Sequence, residues 1–359
     1  MVALSGGVDS SVTAHLLREQ GHDLVGVMMQ LWMDPLAPDV RTRLPNKCCS
    51  IEHIARARAV CQTLGIPFYV LNLEAEFKRA VIDPFLSDYA SGNTPNPCIS
   101  CNRFIKFGAL LDYAKKLECD ALATGHYVRV AREHNTDGTD RLLLLQAVDE
   151  EKDQSYFLYT LTQDQLQRVL FPLGGMYKKA VYELAKRFDI DIPDWYAESQ
   201  DLCFYPEREP KAFLKRYLDV KKGDIRTEAG EKVGTHEGLP FYTIGQRKGL
   251  GIGGLRVPLH VTRKEPQTNT LYVATAGSDA RSSLTATACN WIAWQPSTEK
   301  QRFAARISSL GHKHDGTACV ANGELQFTFD TPVRGVAPGQ SIVLYRQEEV
   351  IGGGIIANL

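Results

Sequence analysis

Seven consecutive residues, Ser5-Gly6-Gly7-Val8-Asp9-Ser10-Ser11, stand directly behind a short apolar strand, Val2-Ala3-Leu4, and open a helix expected over Val12 to Gln20. Adjacent glycines let the backbone turn tightly and bring successive N–H groups close to a ligand. The helix N-terminus behind them adds unpaired donors and a partial positive charge, and the serines add hydroxyls. Together they form a phosphate cradle, though not of the kinase type, because no Gly-Lys-Ser/Thr follows. An ordinary capped helix, with Asp9 or Ser10 as N-cap and Gly21 as C-cap, would explain one Ser or Asp. It would not explain Ser-Gly-Gly before that residue and Ser-Ser after it.

A second chemistry-bearing set is made of thiols. Cys98-Ile99-Ser100-Cys101 follows Asn93-Thr94-Pro95-Asn96-Pro97, whose prolines keep the chain extended. A helix expected from about Phe104 to Lys106 onward puts both thiols near its N-terminus, a placement that lowers a thiol pKa. Cys203 lies far along the chain in Ser199-Gln200-Asp201-Leu202-Cys203-Phe204. The C-x-x-C pair also reads as a zinc half-site or as buried thiols, but no second C-x-x-C completes a Cys₄ site. The adjacent Cys48 and Cys49 make awkward ligands.

These groups need elements to hold them. Leu24–Met29 reads as a buried strand, and Phe68–Leu71 and Ala121–Thr124 as strands. They alternate with helices at Ile51–Leu64, at Glu74–Tyr89 with an interruption at Pro84, and at Lys106–Leu117. Such alternation predicts an α/β fold, a parallel sheet with helices on both faces and ligands at the carboxyl ends of strands. The Ser-Gly-Gly loop is at one such end, and Gly125-His126-Tyr127 follows another. Further helices are expected at Thr162–Leu170 and Lys178–Phe188. Residues 33–47 read as an irregular insertion. Glycines become frequent after Lys222, and beyond about residue 270 short β-rich runs alternate with turns, as in an antiparallel barrel or sandwich. The expected division is therefore 1–206, 207–270 and 271–359.

A chain of 359 residues, 44% of them hydrophobic, can bury a large core, and no apolar run reaches the length of a membrane span. The first residues enter a strand at once rather than a charged, apolar leader, so a cytoplasmic location is expected. Nine cysteines in such a setting point to redox, metal or sulfur chemistry rather than to a disulfide framework. Residues 1–206 carry net −6, residues 207–264 net +6 and the remainder net −1. A basic middle segment is the footprint of phosphate-backbone contact, although a merely solvated basic face has the same composition.

The loop at Ser5–Ser11 resembles the pyrophosphatase loop (PP-loop) of ATP-using enzymes that release pyrophosphate and adenylate a substrate. Six further blocks occur with it in order along the chain. They are Thr94–Lys106, Ala123–Tyr127, Lys152–Leu158, Asp201–Phe204, Gly238–Gly251 (GLPFYTIGQRKGLG), and Ala337-Pro338-Gly339-Gln340 with Gly352-Gly353-Gly354. Together they resemble the tRNA-specific 2-thiouridylase family over essentially the whole chain. That family has a PP-loop domain, a small central domain and a C-terminal antiparallel β-barrel. The resemblance implies ATP, with Mg²⁺, on Ala3, Leu4, Ser5, Gly6, Gly7, Val8, Asp9 and Ser10, and its adenosine part at Met29 and Gly125. It implies as substrate the wobble uridine of tRNAs for lysine, glutamate and glutamine, adenylated at its C2 oxygen. Cys203 would carry a persulfide and Cys101 would act as nucleophile, closing a transient disulfide with Cys203. His126, Lys152, Asp153, Gln154, Ser308, Ser309 and Gln340 would contact tRNA. A persulfide donor protein fed by a cysteine desulfurase would be a partner.

Many family members carry Asp where this chain has Cys98. Cys98, Cys101 and Cys203 would make a three-thiolate set, and three thiolates with one open coordination site suit an iron–sulfur cluster. Two other functions share part of the pattern: an amidating synthetase, for which no ammonia-supplying domain is evident, and an RNA-binding protein on a decayed scaffold, which the intact loop and thiols disfavour.

Overall fold

A computed structural model describes residues 1–37, 51–134, 140–192, 202–207, 210–253, 257–275 and 279–358. Cys48, Cys49, most of the expected insertion and Ser199–Asp201 lie outside the described residues. The N-terminal part begins with β1 (Val2–Ala3), α1 (Val8–Glu19), β2 (Gly26–Gln30), α2 (Ile51–Leu64) and β3 (Phe68–Asn72). It continues through β4 (Leu122–Ala123), a hairpin of β5 (Val128–His134) and β6 (Asp140–Gln146), β7 (Val169–Leu170) and α3 (Lys178–Arg187). Among the described residues β3-β2-β1-β4-β7 form one sheet, and every pairing in it is parallel. The strand order reverses between β1 and β4. In such sheets that switch point opens a crevice at the carboxyl ends of the strands.

Two helical stretches frame the crevice. One runs without a break through Glu74–Phe77, Lys78–Ile82 and Asp83–Ala90, its middle turn widened to π geometry. Pro84 therefore does not interrupt the run: it stands at the second position of the last piece, directly after the π turn. The other runs through Pro97–Ser100, Cys101–Leu110 and Leu111–Lys116. It starts several residues before the expected Phe104, since Pro97 has the fixed φ of a first helical turn. Cys98 is therefore in the opening turn and Cys101 in the next, rather than both ahead of the helix. The stretch from Thr162 forms only a short helix, Gln163–Leu166, with Thr162 and Gln165 in a reciprocal cap. Val169 and Leu170 then leave it to pair with Leu122 and Ala123 of β4.

The central part holds α4 (Lys211–Tyr217), β8 (Gly223–Thr227), β9 (Lys232–His236), β10 (Leu259–Glu265) and β11 (Thr270–Thr275), in the sheet order β10-β11-β8-β9. The expected boundary at 270/271 is displaced. β11 pairs with β10 and runs parallel to β8, and Leu271 and Val273 fill the core under Ile225 and Val261, so the central unit extends through Thr275.

The last part consists of β12 (Arg281–Trp291), β13 (Gln301–Arg306), β14 (His314–Ala321), β15 (Glu324–Val333), β16 (Ser341–Arg346) and β17 (Glu349–Asn358). β12 pairs with both β15 and β17, which closes six antiparallel strands into a barrel. Closure leaves no open edge within the ring. The β5–β6 hairpin of the N-terminal part extends this sheet through Leu145 opposite Glu349. One core cluster accordingly runs from Phe107 and Leu111 through Tyr156 and Tyr159 to Val343, Tyr345 and Val350, so the barrel is packed onto the parallel-sheet part.

Candidate functional site

β1 ends in the expected loop. Gly6 has φ +71°, and a Cβ there would stand 2.4 Å from the His53 carbonyl oxygen. Only glycine fits where this turn meets α2. Gly7 is the N-cap of α1 and supplies no side-chain cap, so the helix begins at Val8, four residues before the expected Val12. The start of α1, with its donors and partial positive charge, thus stands at the end of β1, where an anion would be held. The hydroxyls brace the loop: Ser10 Oγ donates to Gly7 O at 3.0 Å, Ser11 Oγ to the same carbonyl at 2.9 Å, and Ser5 N donates to Ser10 Oγ at 3.1 Å. Ser5 Oγ lies 3.2 Å from Ser10 Oγ. Leu4 N donates to Val27 O of β2, which puts Met29 two residues further on, level with the loop. Ala3 and Leu4 contribute backbone at the same height.

The end of β4 forms the opposite wall. A Cβ on Gly125 would come within 3.0–3.2 Å of Asp9 and Ser10, so these two strand ends are in contact and glycine permits it. Tyr127 OH donates to Asp9 Oδ1 at 2.8 Å. Lys178, buried at the first turn of α3, places Nζ 2.7 and 2.9 Å from the two Asp9 oxygens. Neither Tyr127 nor Lys178 stood out in the sequence as a site residue. Lys178 carried one signal, a cation opening a predicted helix against the dipole. Substitution Lys178→Met should cost about 1–3 kcal/mol, because the largely enclosed Asp9 carboxylate would lose its cation. Urea denaturation reads this, and unchanged stability would exclude such a role for the pair.

His126 is buried between Thr124 and Lys106, with Nδ1 2.8 Å from Thr124 Oγ1 and Nε2 3.3 Å from Lys106 Nζ. An ammonium only donates, so Nε2 accepts and Nδ1 carries the proton. Burial, and after it the Lys106 charge, hold this imidazole well below the usual histidine range. The unfolded chain therefore takes up a proton near pH 6.5 that the folded chain refuses. The stabilisation is present above that pH and is lost as pH falls below it, by at most about 1.4 kcal/mol per pH unit. His126→Gln should flatten the pH dependence of urea unfolding between pH 7 and 5 by that one proton. An unaltered slope would show that His126 does not titrate this way.

The thiols come together at the same end of the sheet. Cys101 is buried in a cluster with Leu31, Leu73, Phe77, Phe85 and Phe204, and Cys203 packs against that cluster. Leu31 and Leu73 directly follow β2 and β3, so the cluster caps the carboxyl ends of those strands. Cys98, three residues before Cys101 on the same helical stretch, is exposed. The three-thiolate set expected for an iron–sulfur cluster does not fit this arrangement. Among the described residues no three His, Cys, Asp or Glu side chains converge to hold a metal ion. Cys101 is packed into the aromatic cluster, whereas Cys98, one turn earlier on the same stretch, is exposed.

The expected tRNA-facing residues fall into two groups. The Asp153 side chain is fully buried and accepts from Gln146, Ala147 N, Ser155 and, at 2.9 Å, Arg306 of β13. Gln154 accepts from Tyr127 N through its side chain at 2.9 Å, beside half-buried Lys152. Arg306 immediately precedes the turn carrying half-buried Ser308 and Ser309, and Lys313 after that turn reaches Gln146 at 2.5 Å. Two segments far apart in sequence, 152–154 and 308–309, are thereby joined. Gln340 is elsewhere. Its Nε2 donates to Thr94 O at 2.7 Å, and Thr94 N donates to Pro338 O, which pins the barrel to the residues that lead into Cys98. A cavity of about 50 Å³ at this junction is lined by Asp88, Asn96, Ser100, Gly339 and Ser341, among others. Arg306, at the end of β13, and Lys313, just before β14, did not stand out in the sequence because isolated cations carry no motif.

Family models match the chain in three consecutive pieces. They are a tRNA methyl transferase HUP domain over residues 1–207, a tRNA methyl transferase PRC-barrel domain over 211–275 and an aminomethyltransferase beta-barrel domain over 281–356. Among curated proteins, the tRNA-specific 2-thiouridylase MnmA of Geobacter metallireducens is 44% identical, covering 99% of this chain and 96% of its own length. The protein of the same name from Carboxydothermus hydrogenoformans is 43% identical over the same shares, and that of Symbiobacterium thermophilum 40% identical over 99% and 91%. Among solved structures, the U34-tRNA thiolase NcsA from Methanococcus maripaludis with its [4Fe-4S] cluster aligns with 60% of this chain and 63% of its own. Its TM-score is 0.33 and its identity 19%, too loose a likeness to bear on the chemistry.

Proposed function

This chain belongs to the tRNA-specific 2-thiouridylase family, and on that premise we propose that it replaces the C2 oxygen of the wobble uridine in tRNAs for lysine, glutamate and glutamine by sulfur, at the expense of ATP. The observation that carries this reading is that Cys101 and Cys203 meet in one cluster at the same sheet end as the Ser5–Ser11 loop. An activating nucleotide and a pair of thiols then face one substrate atom.

The loop Ser5–Ser10, with Ala3 and Leu4 behind it, cradles the ATP phosphates, and Mg²⁺ enters with the nucleotide as its counter-ion. Met29 and Gly125 flank the adenosine. The uridine C2 oxygen attacks the α-phosphorus and pyrophosphate leaves, so C2 now bears AMP, a far better leaving group than hydroxide. Cys203 carries the outer sulfur of a persulfide received from a donor protein fed by a cysteine desulfurase. The Cys101 thiolate attacks the inner, Cys203-bound sulfur. A Cys101–Cys203 bond forms, the persulfide S–S bond breaks, and hydrosulfide leaves with the electron pair. Hydrosulfide adds to C2, AMP departs with the oxygen, and 2-thiouridine remains. A small thiol supplies the two electrons that reopen the disulfide. Lys152, Asp153, Gln154, Ser308 and Ser309 mark one tRNA-facing side of the molecule and Gln340 another. His126, held neutral and oriented, and the buried Asp153 side chain shape that side rather than touch RNA directly.

None of the described helices is long and apolar enough to cross a membrane. We infer that the enzyme works in the cytoplasm, where its tRNA substrate is. The test is pyrophosphate release and 2-thiouridine formation on tRNA that lacks the modification, with ATP and a persulfide donor. Release driven by a small acid or amine in place of tRNA, or no release at all, would sink the proposal.

A further inference from the structure

We propose that Asp34, Arg216 and Glu207 form a clamp that holds the Cys203 segment at the end of β2, on the aromatic cluster in which Cys101 is buried, and that sulfur transfer depends on this clamp while adenylation does not. The inference rests on the function proposed above. It begins with one guanidinium shared between two carboxylates. Arg216, on α4, donates through NH1 and NH2 to the two Glu207 oxygens at 2.6 and 3.1 Å, and through Nε to Asp34 Oδ2 at 2.7 Å. The planar fork of arginine suits such double engagement, and lysine lacks it. Asp34 Oδ1 accepts from Tyr217 OH at 2.5 Å and from Leu36 N at 2.9 Å. The Asp34 side chain has no solvent exposure.

The three residues come from three places that must coincide for the chemistry. Asp34 follows β2 at the ligand end of the parallel sheet, and its own N–H donates to Phe204 O at 3.0 Å. Glu207 ends the described segment that carries Cys203. Arg216 belongs to the first helix after it. Phe204 and Tyr205, next to Cys203, are buried against Phe213 of that helix, with ring centroids 5.4 and 5.0 Å apart, and Phe204 also meets Phe85 at 5.2 Å. The aromatic contacts, two edge-to-face and one stacked, give burial without charge or hydrogen bonds. The charged fork sets direction and register. Buried ion pairs are often dispensable for stability, so a role in orientation explains this one better.

Asp34, Arg216 and Glu207 are positioning residues, since none touches the reacting atoms. Misplacing a reacting thiol by about 1 Å costs on the order of 10²-fold in rate. Asp34→Asn and Arg216→Gln should therefore lower 2-thiouridine formation by about tenfold or more, while tRNA-dependent pyrophosphate release without a sulfur donor stays within about threefold of wild type. Arg216→Lys should restore only part of the loss, because a lysine reaches one carboxylate at a time.

A second readout needs neither tRNA nor ATP. Diamide, an azo oxidant, takes two electrons and two protons from a thiol pair and becomes a hydrazine. Peptide mapping then follows formation of the Cys101–Cys203 disulfide, which should slow by about tenfold in the variants. Wild-type disulfide and thiolation rates in the variants would overturn the clamp, as would pyrophosphate release that falls in parallel with thiolation. If Asp34→Asn does not fold, Glu207→Gln, at the edge of the cluster, carries the same test. A wild-type enzyme that makes no 2-thiouridine would sink the functional reading instead and leave the disulfide measurement to decide the clamp.

Discussion

Cys203→Ser is expected to lower 2-thiouridine formation by on the order of 10³-fold or more, while tRNA-dependent pyrophosphate release persists. A serine hydroxyl nearly matches the thiol in size but can neither hold a persulfide nor leave as a sulfur nucleofuge. Cys203 is only partly buried against the aromatic cluster, and its neighbours Phe204 and Tyr205 supply the packing. The fold should therefore survive the change. Adenylation happens at the loop after β1, which the substitution does not touch, so the two half-reactions should separate. Cys101→Ser should give the same separation, with sulfur stalled on Cys203 as a persulfide that mass spectrometry detects. Thiolation retained by either variant would remove that thiol from the mechanism, and pyrophosphate release lost with thiolation would point to a structural effect.

The second large effect is expected at the loop itself. Gly6→Ala meets two penalties at once. The φ of +71° places an L-residue in the left-handed region, at about 1–2 kcal/mol, and the new methyl group would stand 2.4 Å from the His53 carbonyl oxygen. Neither the loop nor α2 has a flexible side chain there that could yield, because the contact is backbone to backbone. The loop must therefore shift, and the donors at the start of α1 shift with it. ATP binding is expected to weaken by tenfold or more, read as the nucleotide dependence of pyrophosphate release, with global stability lowered by about 2–4 kcal/mol. Gly21→Ala is the control. Its φ is also positive, at +85°, but no heavy atom lies within 4 Å of the added methyl group. It should cost about 1–2 kcal/mol and leave nucleotide binding unchanged. Equal losses of ATP affinity in the two variants would mean that the contact with His53 is not what matters.

Much of the parallel-sheet part was legible because its signals are local. Ser5–Ser11 behind an apolar strand announced both turn and helix, and the alternation of apolar runs with amphipathic ones announced the sheet. The misplacements share a cause, which is partners distant in sequence. Val169 and Leu170 look like the end of a helix until Leu122 and Ala123 lie beside them. Leu271-Tyr272-Val273 looks like the first barrel strand until its register with Ile225 and Val261 is seen. The helix bearing Cys98 and Cys101 starts earlier than its amphipathic pattern indicates, because Pro97 stands at a first helical turn, where its fixed φ starts a helix.

By itself the sequence determined the chemistry available: a glycine-serine loop for phosphates, thiols for sulfur, a basic middle segment for a polyanion, and blocks in family order. It could do so because those properties belong to residue types and to spacings of a few positions. Only the tertiary structure decided which groups act together. It brought Lys178 and Tyr127 onto Asp9, set Gly125 against the loop, and buried Asp153 under Arg306. It also buried Cys101, left Cys98 exposed and packed Cys203 against the cluster that holds Cys101. The physical reason is that burial and ion pairing depend on what arrives from elsewhere in the chain. The direction in which a helix turns each side chain is fixed by the core it packs against, and no spacing along the sequence records it.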